Sequence, residues 1–300
     1  MNAKSRKQKR FGKTRRSKKN VNGKNVKYYN PGPYQCRPRV GQERPANGCI
    51  PTSYLRKIAG KLGGGSSDGT NIRAHLEKKL GVPADAESTF VDALPIDDKE
   101  KSRLKQEYLR PKQPDSWKSD PDMWLDSTNI ESVMKQYEED YPTFKFLGPF
   151  PIDFAAPDPY SGAKDKCLIG EICDLNLKQS AAAGKLQVGI IYNTDPHNKS
   201  GSHWIANYVD IPKHRCYYFD SYGYEAPKQI QKFMQWLVLQ DPQMKLAYNA
   251  RRFQFKGSEC GMYSMYFISR MLFGEDFRHF CRRAPPDGEM LRLRKWMFST

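Results

Sequence analysis

The chain lacks most of the features that would assign a class at a glance. No stretch approaches the ~20 consecutive apolar residues of a membrane helix, so no membrane span is expected. The first residues contain no apolar run, which argues against a secretory signal. The seven cysteines (Cys36, Cys49, Cys167, Cys173, Cys216, Cys260 and Cys281) form no CxxC pair, and no closely spaced Cys/His ligand set accompanies them. Structural zinc is not expected, no cofactor is implied, and free thiols in a reducing compartment are the simpler reading. No internal repeat recurs at solenoid periods. Acids are almost missing from the first 44 positions, where Glu43 stands alone against 15 Lys and Arg.

That last gap locates the charge. The chain carries a net +17, but the 256 residues after Arg44 hold 35 basic and 32 acidic side chains. The basicity therefore belongs to residues 1–44, read as a disordered arm that binds DNA or another polyanion, or carries a nuclear address. The whole chain is 38% apolar and 12% aromatic, enough for a sizeable core. Residues 45–115 read as a small helical region, with helices over Thr52–Lys61, from about Asn71 to Leu80 and from about Asp97 to Leu109. Between the first two lies the flexible loop Leu62–Gly69. Residues 110–122, with three prolines, read as a linker.

Residues 116–300 form the expected core. Asp126 or Ser127 caps a helix running to about Tyr141, with Ile130, Val133, Met134 and Tyr137 on one face. Strands are predicted over Phe144–Phe154 (short, then loop), Leu186–Asn193, His203–Asp210, Arg215–Asp220 and Met244–Phe255. An amphipathic helix spans Pro227–Gln240, and helices close the chain from Glu275 onward. The fold class is α+β, a mixed sheet flanked by helices.

Three residue types recur in one order. Cys260 precedes Gly261 and an apolar helical run, so it sits at a helix start, where unpaired N–H groups and the helix dipole favour a thiolate. His203 begins one strand and Asp220 ends the next. The short connection Ile211–His214 makes the two antiparallel neighbours, which brings His203 and Asp220 to one sheet edge. A carboxylate there fixes the imidazole tautomer, and the imidazole activates the thiol. Gln254, six residues before Cys260, has an amide able to stabilise an oxyanion beside the Cys260 backbone N–H. Taken singly, each has a bland explanation: a structural histidine, a turn-forming aspartate, a core thiol, a loop glutamine.

His203-Trp204, the strand ending in Asp220-Ser221-Tyr222-Gly223, and Gln254 before Cys260-Gly261 together resemble the ubiquitin-like-protein (SUMO) protease family of cysteine peptidases. The segment Trp124-Leu125-Asp126-Ser127-Thr128-Asn129-Ile130 matches as well, and the likeness covers roughly Trp124–Phe273. The extra N-terminal region looks like the viral branch, which includes adenovirus protease and the capsid-polyprotein proteases of large DNA viruses. The resemblance implies a cysteine proteinase fold with an N-terminal helical extension. It implies catalysis by Cys260, His203 and Asp220 with help from Gln254, and a channel between Trp124 and Trp204 for a Gly-Gly tail. The implied substrates are proteins with Gly-Gly motifs, in the viral reading virion precursors cut in the virion or host cytoplasm. A SUMO or ubiquitin deconjugase and an acyltransferase on the same fold are the alternatives. Gly63-Gly64-Gly65 is a conceivable self-cleavage site.

Overall fold

A computed structural model of the chain describes residues 36–38, 48–61, 71–84, 86–159, 161 and 166–300. The chain divides at Asn30–Pro31, and every described residue lies in the second part, Pro31–Thr300. The basic stretch Lys4–Lys19 and the triglycine Gly63–Gly65 fall outside the described residues.

Four helices come first: α1 (Thr52–Lys61), α2 (Ile72–Leu80), α3 (Glu87–Ala93) and α4 (Asp98–Tyr108). They bury their own cluster, with Ile50, Leu55, Leu76, Phe90, Val91 and Leu104 at its centre. Asn71 and Asp97 cap α2 and α4 by accepting from Ala74 N and Glu100 N. Helix α3 has no counterpart among the sequence expectations. Its seven residues, Glu-Ser-Thr-Phe-Val-Asp-Ala, are too few to show a helical period. A buried ion pair of Arg73 with Glu87, at 3.0 Å, fixes it against α2.

In the core, α5 (Ser127–Asp140) starts in a capping box between Asp126 and Asn129. The strands are β1 (Phe144–Pro151), β2 (Gln187–Asn193), β3 (Trp204–Asp210), β4 (Arg215–Phe219) and β5 (Lys245–Tyr248). The short helices α6 (Gly170–Cys173) and α7 (Leu177–Ala182) lie between β1 and β2, and α8 (Lys228–Gln240) between β4 and β5. Helices α9 (Cys260–Leu272), α10 (Phe277–Arg282) and α11 (Asp287–Met297) end the described chain.

The five strands stand in chain order. The outer pairs β1–β2 and β4–β5 are parallel, while β2–β3 and β3–β4 are antiparallel. β3 is buried at every position because both faces are covered. Alternate residues go to opposite sides: Trp204, Ala206 and Tyr208 join α5, α9 and α11 in one cluster, and Ile205 and Val209 join α8 in the other. The fold is α+β, a mixed sheet flanked by helices.

Two expectations are corrected. The strand predicted over Met244–Phe255 ends at Tyr248. Asn249 is fully buried, and its side chain bonds the Asp220 backbone and Arg251 O, which turns the chain out of the sheet. Nor are all seven cysteines free: Cys36 pairs with Cys49 and Cys167 with Cys173. An isolated bridge to Leu109 holds Cys36 beside the helical cluster, at a Cα–Cα distance of 5.2 Å from Cys49. Neither spacing resembles a CxxC pair, so the pairing had no sequence signal. Cys216, Cys260 and Cys281 are the free thiols.

Candidate active site

Cys260 is the first residue of α9. Glu259 precedes it but does not cap the helix. Its carboxylate is 1% exposed and takes both Nε (3.1 Å) and Nη2 (2.7 Å) of Arg294 on α11. Arg294 also donates to Met123 O at 2.7 Å and lies over the Trp117 ring. One guanidinium thus ties the start of the cysteine helix to the segment that carries Trp124.

Gly261 explains the Cys-Gly pair. A Cβ at this position would come within 2.9 Å of Leu125 Cδ1 and 3.2 Å of Trp204 Cδ1. Only glycine lets the first turn of α9 lie flat against both residues.

His203 stands just before β3 and Asp220 just after β4, where the antiparallel register brings them together. His203 Nε2 lies 2.9 Å from Asp220 Oδ1. Cys260 lies near enough to the same ring to act on its charge. Burial works against a charge on His203, but the bonds to Asp220 and Cys260 and their negative charge outweigh it, and the imidazole is raised to about 9. Asp220 is 3% exposed, and its Oδ1 also accepts from Tyr222 N at 2.7 Å. Asn249 accepts from Asp220 N (2.9 Å) and donates to Asp220 O (2.7 Å), so the backbone around the carboxylate is held from both sides. The Tyr222 ring stacks on His203, with centroids 4.7 Å apart.

The Gln254 amide is turned into its own loop. Its oxygen accepts from Ser221 Oγ (2.7 Å) and one N–H goes to Lys256 O (2.6 Å), leaving a single N–H. Asp287 of α11 braces this loop by accepting from Phe255 N and Lys256 N, both at 3.0 Å, and from the Tyr263 hydroxyl.

Trp124 and Trp204 line one cleft of about 480 Å³, together with Leu125, Asn193 and Gly201. Trp124 is 50% exposed, so core packing does not account for it. Trp204 is buried and donates Nε1–H to Leu125 O at 2.9 Å. The Gly261 contacts bring this cleft up to Cys260. Among the described residues no cluster of three or more His, Cys, Asp or Glu could hold a metal, and no helix is long and apolar enough to cross a membrane.

Of the residues expected from the sequence, the structure joins His203 to Asp220, with Cys260 acting on the same imidazole, and sets Trp124 and Trp204 in one cleft. Sequence reasoning missed Asn249, Asp287 and Arg294, whose contacts come from elements distant in sequence. Neither an Asn beyond a strand nor an Asp after two prolines carries a signal by itself.

Residues 190–297 match the Ulp1 protease family, C-terminal catalytic domain, and the likeness drawn from the sequence holds. More particularly, part of the chain is similar to proteins named as viral thiol proteases. A protein of Acanthamoeba polyphaga mimivirus named as a thiol protease is 36% identical over 159 residues, which are 51% of this chain and 49% of that protein. A SUMO-1 cysteine protease of African swine fever virus is 31% identical over 118 residues, 37% of this chain and 43% of that protein. The chain thus spans less than half the length of these curated relatives. The crystal structure of an African swine fever virus protease shares the fold, with a TM-score of 0.60 at 18% identity over 89% of this chain and 96% of that one.

Proposed function

We propose that this chain is a thiol endopeptidase that cuts after Gly-Gly sequences. The observation that carries the reading is the hydrogen bond of His203 to Asp220, with Cys260 acting on the charge of the same ring, beside a cleft walled by two tryptophans. In the proposed cycle the Cys260 thiolate attacks the scissile carbonyl carbon, forming a C–S bond and an oxyanion. The Cys260 backbone N–H and the remaining Gln254 N–H stabilise that oxygen. The His203 imidazolium gives its proton to the leaving nitrogen as the C–N bond breaks. Neutral His203 then takes a proton from the water that attacks the thioester. The acid is released, and the thiolate and imidazolium return. Asp220 holds the ring and stabilises its charge. Indole walls favour residues without side chains, which supports glycine on the acyl side.

The viral relatives support virion precursor proteins as substrates, met in the virion or host cytoplasm. Residues 1–44 would bind DNA or another polyanion or carry a nuclear address, 45–115 form an accessory helical region, and 116–300 are the protease core. One relative is named a SUMO-1 cysteine protease, which supports removal of SUMO-type modifiers as the second reading.

The test is cleavage of a Gly-Gly-Ala peptide library by the wild type and by Cys260→Ala, beside labelling with a SUMO vinyl-sulfone probe. We expect peptide cleavage that Cys260→Ala reduces about 10⁴-fold or more. Cleavage that survives Cys260→Ala would refute the mechanism. Probe labelling without peptide cleavage would favour the deconjugase.

A further inference from the structure

The turn that carries Asp220 continues into Tyr222-Gly223-Tyr224 and packs against the loop Arg251–Phe255. Gly223 has φ +78, and a Cβ there would fall 2.8 Å from the Arg251 carbonyl carbon and from Arg252 N. Ser221 O accepts from Phe253 N (2.8 Å) and Gln254 N (2.9 Å), which locks turn to loop. The close approach sets the Arg252 guanidinium carbon 5.2 Å from the Tyr222 ring centre and 5.1 Å from that of Phe255. Arg252 Nε is spent on Gln254 O at 2.6 Å. Its Nη1 and Nη2 groups have no partner among the described residues. Phe255 is 70% exposed and Tyr224 67%.

This shelf adjoins His203, on which Tyr222 stacks. None of its side chains lines the tryptophan cleft. With the acyl half of a substrate in that cleft, the leaving nitrogen must lie within hydrogen-bond reach of His203 to take its proton. The chain beyond the scissile bond then passes over Tyr222. Arg252 lies within about 10 Å of the imidazole, a span of two to three extended residues. The aromatic faces are already engaged by imidazole and guanidinium, so the unpartnered feature is the guanidinium edge, with its paired N–H donors. Such an edge fits a carboxylate in a two-bond fork.

We propose that Arg252, framed by Tyr222 and Phe255, is a specificity residue for an Asp or Glu side chain on the first or second residue after the scissile bond. The assignment rests on the peptidase reading above. It adds selection on the leaving side to the glycine selection of the tryptophan cleft.

The test uses the full chain and four substrates that share one sequence up to Gly-Gly. Three continue as Ala-Glu, Ala-Gln or Ala-Lys, and the fourth ends in an aminocoumarin amide with no residue beyond the scissile bond. For the wild type, kcat/KM for the Glu peptide should exceed that for Gln by about three- to tenfold, with Lys lowest, since the site is exposed. The Glu-to-Lys ratio should shrink as salt rises from about 0.05 to 0.5 M. Arg252→Glu should invert the order and favour Lys, a ratio read within one variant whatever its overall rate. Coumarin release with equal rates on all three peptides would overturn the subsite and leave the peptidase reading standing. A Glu preference retained by Arg252→Glu would also overturn it. No cleavage of any of the four substrates would overturn both readings. If Arg252→Glu disturbs the loop through Gln254, the wild-type ratios and their salt dependence decide alone.

Discussion

At the scale of residues, the pH range of the site follows from one imidazole. Burial opposes a charge on His203, and the contacts with Asp220 and Cys260 raise its pKa to about 9 all the same. The shift is upward. Its contribution to stability is therefore complete below the ordinary value of 6.5 and is lost as pH rises through about 9. The imidazolium is then available to the leaving amine across neutral pH. We expect the alkaline limb of kcat/KM to fall near pH 9, and the ring protons of His203 to titrate there by NMR. Asp220→Asn removes the first of the two raising hydrogen bonds. It should lower that titration point and cut activity by about a hundredfold or more. A His203 titration that stayed near 9 in Asp220→Asn would contradict this account. Cys260, His203 and Asp220 were legible as candidates in the sequence because each stands at the end of an element whose pattern is clear. Asn249 was not, because its role is to bond the Asp220 backbone across 29 residues.

At the scale of elements, the start of α9 is clamped from two directions. On one side Gly261 presses on Leu125 and Trp204. Gly261→Ala forces a methyl into a 2.9 Å contact, at a cost of about 1–3 kcal/mol. Because the displaced residues frame the cleft, activity should fall more than stability. Thermal melts compared with coumarin-amide turnover measure the two separately. On the other side Arg294 pairs with Glu259, buried just before Cys260. Arg294→Met leaves that carboxylate unpaired and should cost roughly 3–5 kcal/mol. The double variant Glu259→Gln/Arg294→Met should recover part of the loss in denaturant melts. Equal stability of the single and double variants would mean that the pair does not act as a unit. The helix itself was legible from Cys260-Gly261 and its apolar run. The clamp was not, since Glu259 and Arg294 lie 35 residues apart on separate elements.

At the scale of the whole molecule, two features matter beyond the five-stranded sheet. The four-helix cluster is joined to the end of the chain: Ser299 N donates to Pro111 O, Gln113 N to Ser299 O, and Ser88 N to Thr300 O. Since α11 also holds Glu259 and braces the Gln254 loop, the helical region and the site share one supporting element. The second feature is charge. Residues 1–30 contain 12 Lys and Arg and no acid. If the arm binds DNA as proposed, binding should fall steeply with salt, and removing residues 1–30 should abolish most of it while cleavage of the coumarin amide persists. Fluorescence anisotropy with a labelled duplex over a salt series checks this. Unchanged affinity after removal would assign the binding to the body of the protein.

The sequence by itself determined the order of the five strands and of the longer core helices α5, α8 and α9, the α+β class and the meeting of His203 with Asp220. Those follow from local period and from hairpin geometry, which act over a few residues. Tertiary structure decided the rest. It ended β5 at Tyr248, paired Cys36 with Cys49 and Cys167 with Cys173, and formed the short helix α3. It turned the Gln254 amide into its loop and brought Arg252 beside Tyr222. Each of these depends on contacts between side chains that the chain separates and only packing unites.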